Sequence, residues 1–428
     1  MNSRERLIAA INHQQPDRCP IDLGSNGQTG MNVSTLYRLR KALGLDEHRL
    51  KVVETCQMLG EIEEDLQRAV HGDVVGLWNT GGFFGFSNAG QKKWQLGDGT
   101  PLWMPEQFEV DVDAQGYSRL YPQGDRSAQP SACMPPNGYF FDGIERGDPW
   151  DFNIDEDDLT PVEDFKDDFN VATDEDARYW ERESKKLFDE TTYGIMGVLG
   201  GAGLGDVALV GGPYLAGKPR GIRCLDDWLM AHAMYPDYID AVFGYQTEVM
   251  LKNLEIYKQA VGDRIQVVWI SGTDFGTQNS TFLSVDTFRS LYKPHYQKIN
   301  DWVHQNTGWK TFYHTCGCIT NLLDDLVDIG VDCLNPVQVN AITLGGLDAK
   351  QLKAKYGDKF TFWGGGIDTQ DVLPFGTPEE VRAQVKERIE TFSPGGGFVF
   401  SSIHNVVAKV PPENLIAMYE TVLGEKLV

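Results

Sequence analysis

The chain alternates between short runs of β-forming apolar residues and longer segments in which apolar positions follow a helical spacing. Several runs, such as IQVVWISG from Ile265 and WKTFYHT from Trp309, are apolar at consecutive positions. That pattern is typical of parallel strands covered on both faces. The remaining predicted strands are CPIDLG from Cys19, DVVGLW from Asp73, GIMGVLG from Gly194, VDCLNP from Val331, FTFWGG from Phe360 and GFVFSS from Gly397.

The segments between the runs carry helix signals. Thr377 is followed by a proline and, three residues later, by Glu380, which is the signature of a capped helix start. Val381, Val385 and Ile389 then recur at every fourth position. This spacing predicts an apolar stripe that faces a sheet.

Eight strands separated by helices predict one α/β domain over residues 1–428, a single (β/α)8 TIM barrel. A doubly wound open sheet is the alternative, but no glycine-rich phosphate loop follows the first strand. Residues 91–147 break the pattern, because turn signals such as Asn137-Gly138 separate short runs rich in aromatic residues. We therefore expect a β-rich insertion after the second strand, which lies over the catalytic end of the barrel as a lid.

Composition narrows the class of protein. The 428 residues are 41% hydrophobic and 23% charged, as in a globular protein with a large core. The start shows no signal-peptide pattern and no apolar run reaches about 18 residues, so we expect a cytoplasmic protein with no membrane partner. The seven scattered cysteines indicate free thiols. A formal net charge of -24 argues against nucleic acid as a partner.

Polar residues follow most of the predicted strands. In a TIM barrel the C-terminal ends of the strands meet at one mouth, where the chemistry takes place. We therefore expect the residues after the strands to converge there. They are Asp22, Ser25, Asn26, Trp78, Asn79, Ser271, Asp274, His314, Cys316, Cys318, Asn335, Gln338, Asp368, His404 and Asn405.

The fifth strand ends in the sequence FYHTCGCI, which places an imidazole and two thiols at that mouth. Residues two apart in a strand share a face, so His314 and Cys316 are expected to point at one site, and zinc prefers these ligand types. An isolated pair of this kind is more often a buried histidine beside an inert cysteine. The strand-end position and a second histidine after the eighth strand favour a metal. The expected zinc ligands are His314, Cys316 and His404, which leave a fourth position open.

Cys318 is the competing third ligand. Gly317 is expected to turn the chain into a helix that begins near Ile319. A helix N-terminus lowers the pKa of a thiol, so Cys318 is alternatively a reactive thiolate. The other cysteines, among them Cys333 inside an apolar strand, are expected to be packed thiols.

Three further residues form the predicted catalytic set. Asp274 in SGTDFGTQ and Asp368 in GGGIDTQ each follow a strand beside glycines, and Gln338 follows the sixth strand. An aspartate in such a place either caps a turn or helix, or acts at the site. In the second case it orients a zinc-bound histidine or binds substrate.

Four segments resemble the uroporphyrinogen decarboxylase superfamily, whose fold is a (β/α)8 barrel. They are SRERLIAAINHQQPDRCPIDLG, YHTCG with NLLDDLVDIGVDCLNPVQ, FWGGGIDTQ and HNVVAKVPPENLIAM. True uroporphyrinogen decarboxylases use no metal and hold their porphyrinogen with an arginine-bearing motif after the first strand. Here that stretch reads DLGSNGQTGMN and has no arginine. The corrinoid-dependent methyltransferase branch binds zinc through H-x-C on the fifth strand, which His314 and Cys316 match. Its methylcobamide:coenzyme M members use a cysteine after the eighth strand, where this chain has His404.

The resemblance implies a zinc-dependent methyltransferase. Two histidines and one thiolate carry less negative charge than one histidine and two thiolates, which favours action on an ether and hence the O-demethylase type. It would transfer a methyl group from a small methylated substrate to a corrinoid, a cobalamin-type cofactor, on a partner protein. The abundant aromatic residues favour a methoxylated aromatic substrate. No D-x-H-x-x-G motif is present, so the corrinoid is expected on a separate protein. A homodimer is a further assembly to be tested.

Two other functions stay open at this point. One is a metal-free decarboxylase or lyase with Asp274 and His404 as acid and base. The other is a non-catalytic carrier of a corrinoid or tetrapyrrole.

Overall fold

A computed structural model describes residues 1–87, 90–147 and 149–427. Its main sheet has seven parallel strands, each paired with the next one along the chain. They are Val74–Leu77, Gly194–Gly197, Val267–Ser271, Lys310–His314, Cys333–Asn335, Thr361–Trp363 and Phe398–Val399. The predicted α/β class is confirmed, and the curled sheet is TIM-barrel-like.

The predicted first strand is reduced to two isolated parallel bridges. Ile21 pairs with Phe400 on one edge of the sheet, and Asp22 pairs with Val74 on the other. The backbone N–H of Asp22 donates to the carbonyl of Phe400 at 2.9 Å. This short segment therefore joins the two edge strands.

A buried carboxylate fixes that segment. The side chain of Asp73 is fully buried, and its two oxygens lie 2.6 Å from the guanidinium groups of Arg6 and Arg18. It also accepts a hydrogen bond from the backbone N–H of Ile21 at 2.8 Å. A buried charge is stable only with such partners, so Asp73 ties the N-terminal segment to the sheet.

The interior of the sheet is a small apolar core. It consists of Leu7, Ile11, Val74, Met196, Val267, Phe312, Cys333, Trp363 and Val399. Leu7 comes from the first helix and packs so closely on Gly194 that a Cβ atom there would lie 2.3 Å from its Cδ2 atom. Because Gly194 is the first residue of its strand, this helix closes the N-terminal end of the sheet. The C-terminal ends of the strands are left for a site.

Helices cover the outer face of the sheet. The helix Pro378–Phe392 begins at Thr377 with the predicted capping box to Glu380, and Val381 and Val385 are buried. The other α-helices are Ser3–Ile11, Val33–Ala42, Glu64–Ala69, Pro161–Phe165, Asp174–Glu190, Asp206–Leu209, Leu225–Met234, Pro236–Val261, Val285–Thr287, Lys293–Asn306, Leu323–Asp328, Val339–Leu344, Ala349–Tyr356, Val372–Phe375 and Pro412–Leu423. None of the helices in the described ranges is long and apolar enough to cross a membrane.

Short antiparallel strands lie outside the main sheet. One small sheet contains Leu50–Glu54, Leu59–Gly60, Lys92–Gln95 and Pro101–Met104, and another contains Val110–Val112, Ser118–Leu120, Ala132–Met134 and Asp142–Gly143. The first begins before the predicted insertion, because Leu50 pairs with Leu102. Residues 91–147 are anchored to the rest of the chain, since the buried Arg146 donates to the carbonyl of Leu215 at 2.6 Å. Their role as a lid stays a prediction.

Candidate metal centre and adjoining cavity

Two histidines and one cysteine meet at the C-terminal end of the sheet. His314 is the last residue of its strand, Cys316 follows it, and His404 follows the strand Phe398–Val399. Their possible ligand atoms all lie within 4.8 Å of one another. The Cys316 Sγ atom is 3.3 Å from the His314 Nε2 atom. The three residues predicted as metal ligands are therefore brought together.

Asparagine side chains orient both imidazoles. The Nδ1 atom of His314 lies 2.5 Å from the Oδ1 atom of Asn335, and the Nδ1 atom of His404 bonds to the Oδ1 atom of Asn405. An amide oxygen only accepts hydrogen bonds, so each Nδ1 carries the proton and each Nε2 keeps its lone pair. Asn335 is held in turn by a backbone carbonyl and Asn405 by a glutamine side chain. This is the support that metal-bound histidines have.

Burial sets the protonation of the cluster. His314 is 3% exposed, and this burial, with the neighbouring His404, lowers its pKa to about 4 against the opposing effect of Asp274. The imidazole is therefore neutral, which is the form that binds a metal. Burial and the charge of Asp274 raise the pKa of the Cys316 thiol. A cation at this point would lower the pKa of the thiol and keep the imidazole neutral, so the residues present fit a zinc ion.

Asp274 and Gln338 shape the loop that carries the ligands. The Oδ1 atom of Asp274 accepts from the backbone N–H of Cys316 at 2.7 Å and lies 3.6 Å from the His314 Nε2 atom. The Oε1 atom of Gln338 accepts from the backbone N–H of Gly317 at 2.8 Å. Both predicted residues therefore lie at the cluster, and both contact its backbone.

Asp368 holds a turn instead. Its carboxylate accepts from the backbone N–H groups of Gln370 at 2.7 Å and Asp371 at 3.1 Å, and from the side chain of Asn340 at 3.3 Å. These are the contacts of the structural alternative named for this aspartate. Its predicted catalytic role stays a prediction.

Cys318 points away from the cluster. Its Sγ atom lies 3.8 Å from the Oγ1 atom of Thr320, and a Cβ atom on Gly345 would meet it at 2.6 Å. Gly317 has the predicted turn conformation, with φ of +87°. A short 3-10 helix, Thr320–Leu322, follows before the α-helix Leu323–Asp328 begins. The structure therefore favours His404 over Cys318 as the third ligand.

A cavity of about 710 Å³ adjoins the cluster. Asp274 belongs to its wall, and so does Gln57, which holds Asn405. Its aromatic residues are Trp78, Phe83, Tyr214, Trp228, Trp269, Phe275, Phe282 and Tyr292. No lysine or arginine occurs among the described residues that line it. A small molecule with an apolar body and no negative charge therefore fits beside the cluster.

Two carboxylates in this wall, Glu54 and Asp206, were not predicted from the sequence. Burial raises the pKa of Glu54 to about 7, and burial together with Asp274 raises that of Asp206 to about 7. Glu54 ends a strand of a small sheet, outside the predicted barrel strands. Asp206 follows the glycine-rich stretch GGAGLG. The sequence signal for Asp206 was its position at the end of a glycine-rich loop after the third strand.

The family comparison covers just under half of the chain, and this part carries the ligands. Residues 216–424 match the family described as Uroporphyrinogen decarboxylase (URO-D). This part of the chain is similar to that family. The match contains the H-x-C segment and His404, so the resemblance is confirmed there, whereas the opening segment SRERLIAAINHQQPDRCPIDLG lies outside it.

A solved structure shares its fold with nearly the whole of this chain. A methyltransferase from Methanosarcina mazei superposes with a TM-score of 0.55 at 16% sequence identity, and the alignment covers 99% of each chain. This similarity shows a shared fold that includes the residues before the family match. Among curated protein sequences, none matches this chain significantly.

Proposed function

We propose that this chain is a zinc-dependent methyltransferase of a corrinoid system. It transfers a methyl group from a small methylated compound, with methoxylated aromatics as the first class to test, to a corrinoid on a partner protein. The observation that carries this proposal is the cluster of His314, Cys316 and His404 beside the cavity. Two imidazoles and one thiolate leave a fourth position open for a substrate. Zinc bound there would polarise the atom that bears the methyl group and make it a better leaving group.

The chain's own residues position the reaction. Asn335 and Asn405 keep the Nε2 atoms of the two histidines free, and Asp274 holds the backbone of Cys316 in place. Gln338 fixes the following turn in the same way. The apolar wall of the cavity excludes water from the methyl group. Asp368 acts on the site through the turn that it holds.

The rim of the cavity supports a large partner. Phe83, Val210, Leu225 and Phe282 all line the cavity and are exposed. Exposed apolar side chains grouped in this way are typical of an interaction site. A corrinoid macrocycle carried by another protein is the occupant that the proposed reaction requires.

We also propose that the predicted strands form one closed eight-stranded barrel with residues 91–147 as its lid. The bridges of Ile21 and Asp22 to both sheet edges support closure. The lid is supported by a hydrogen bond of 2.7 Å from the N–H of Phe141 to the carbonyl of Cys56, which lines the cavity.

A decarboxylase of a polycarboxylate is less compatible with the cavity. Such a substrate needs cationic side chains to hold its carboxylates. The described lining residues include Glu54, Asp206 and Asp274 but no lysine or arginine.

The test is transfer of methyl to cobalt. The zinc-loaded protein is mixed with reduced cobalamin and a panel of methoxylated and methylated compounds, and methylcobalt is followed by absorbance. We expect methylcobalt to form with the wild type and with Cys318→Ala, but not with Cys316→Ser. If no compound methylates cobalt and a carboxylated compound instead releases carbon dioxide, the proposal is wrong.

A further inference from the structure

Glu54 and Asp206 are carboxylates in the cavity wall without an ionic partner. Among the carboxylates buried elsewhere in the fold, Asp73 is paired with two arginines and Asp168 with Arg223 at 2.7 Å, whereas Asp22 is held by the neutral side chains of Ser25 and Trp363. Neither Glu54 nor Asp206 has a salt bridge to any described residue. A charge removed from water without a partner is strongly destabilising. The cavity wall therefore lacks a positive charge that its carboxylates favour.

The contacts of Glu54 likewise include no cationic partner. Its two oxygens accept hydrogen bonds from the backbone N–H groups of Cys56 at 2.8 Å and Gln57 at 2.7 Å. Both donors are neutral, and all three residues line the cavity. The carboxylate is thus fixed in place by its own loop, with no cation to balance its charge.

Asp206 adds a second negative charge to the cavity wall. It lies close to Thr273 and Asp274, and Asp274 in turn is 3.6 Å from the Nε2 atom of His314. Nearby like charges and burial both disfavour its ionised form. The raised pKa values of Glu54 and Asp206, each about 7, are consistent with carboxylates that lack a cation.

The rest of the wall favours the same kind of ligand. Aromatic rings such as Trp78 and Trp269 attract cations through their π faces. An anionic molecule would meet three carboxylates and no basic side chain among the described lining residues. The cavity therefore attracts positive charge and repels negative charge.

We propose that the substrate is a methyl ether or thioether whose other end is a protonated amine, and that the cavity-wall carboxylates Glu54 and Asp206 attract this ammonium group. This inference rests on the proposed methyl transfer. The oxygen or sulfur atom of such a compound keeps a lone pair for the metal centre, which a quaternary ammonium nitrogen lacks. Glu54 and Asp206 are thus the residues that determine specificity.

The experiment compares three para-methoxy compounds whose other end carries a positive charge, no charge or a negative charge. They are para-methoxybenzylamine, para-methoxybenzyl alcohol and para-methoxybenzoate. Binding to the zinc-loaded protein at a pH above 7 is measured by quenching of tryptophan fluorescence, since several tryptophans line the cavity. We expect the amine to bind at least about tenfold more tightly than the alcohol, and the benzoate to bind most weakly. Methyl transfer to reduced cobalamin is measured on the same samples.

Charge-removing variants assign the effect to the two residues. In the double variant Glu54→Gln/Asp206→Asn we expect the preference for the amine over the alcohol to shrink to about threefold or less. Glu379→Gln removes a carboxylate from an exposed position on a distant helix and should leave the preference unchanged. Circular dichroism checks that the double variant is folded. If it is unfolded, each single variant is measured instead. The order in which the wild-type protein binds the three compounds is then decisive by itself.

The outcomes separate this inference from the proposed function. If the benzoate binds best, or the amine preference survives in the folded double variant, the inference is wrong. Methyl transfer from any of the three compounds would still support the methyltransferase. If the amine binds selectively but no compound methylates cobalt, the cation site stands and the methyltransferase proposal fails.

Discussion

The carboxylate of Asp274 accepts a hydrogen bond of 2.7 Å from the backbone N–H of Cys316. This contact crosses from the loop after one parallel strand to the loop after the next. It holds the thiol near the imidazole of His314 before any metal arrives, so little reorganisation is needed for binding. Ligands pre-arranged in this way bind a metal more tightly than flexible ones.

The first prediction is that the purified protein contains about one zinc per chain, because three ligands converge on one point. Cys316→Ser should lose the metal and keep the fold, since the side chain is close in size. Metal content is measured by inductively coupled plasma mass spectrometry and folding by circular dichroism. A wild-type protein that takes up no zinc on titration would refute the metal centre.

The second prediction concerns the third ligand. Cys318→Ala should retain zinc, because the Cys318 thiol contacts Thr320 and lies outside the cluster. His404→Ala should lose zinc as fully as Cys316→Ser does. Metal analysis of the two variants side by side decides the matter. Equal metal loss in Cys318→Ala and retention in His404→Ala would show that Cys318 is the ligand.

The third prediction tests the support of His314. Asn335→Leu removes the acceptor of the Nδ1 proton, and we expect zinc affinity to fall by about 10- to 100-fold. Asn335→Asp keeps an acceptor oxygen in the same place and should bind zinc far better than the leucine variant. Affinity is measured by competition with a chelating dye. Identical affinities in the two variants would contradict a positioning role for Asn335.

The fourth prediction concerns the pH dependence of stability. The pKa of Asp206 is raised to about 7 in the folded protein, so between about pH 4 and 7 the folded state binds more protons than the unfolded state. The contribution of this carboxyl to stability is therefore greatest at low pH and falls as the pH rises through this window. The stability of Asp206→Asn minus that of the wild type should be larger at pH 8 than at pH 5. Thermal melts of both proteins at the two pH values measure it. A stability difference between the two proteins that shrinks as the pH rises would contradict this prediction.

The fifth prediction concerns the N-terminal segment. Asp73→Ala leaves Arg6 and Arg18 without their buried partner, which should lower the free energy of unfolding by about 3–5 kcal/mol. Asp301→Ala, at an exposed helix position, serves as the control and should change stability by less than about 0.5 kcal/mol. Both are measured by urea unfolding. A small effect at Asp73 would mean that the segment is held by its backbone bridges alone.

The sequence predicted those parts of the site that depend on local patterns. Consecutive apolar positions predicted the seven parallel strands, and the two-residue spacing of His314 and Cys316 predicted a shared direction. The side to which Cys318 turns was not predictable, because it depends on the φ of Gly317 and on space beside Gly345. Glu54 was missed because its strand pairs with residues near Leu102, far away in the chain.

The position of His404 after the last parallel strand has a consequence for biosynthesis. His314 and Cys316 leave the ribosome before His404, which follows Cys316 by 88 residues. The N-terminal segment at Ile21 must likewise wait for Phe400 to reach its place. A chain truncated before residue 400 therefore has neither a joined sheet nor a complete metal-binding cluster. Metal retention would consequently report that the chain has been synthesised past His404.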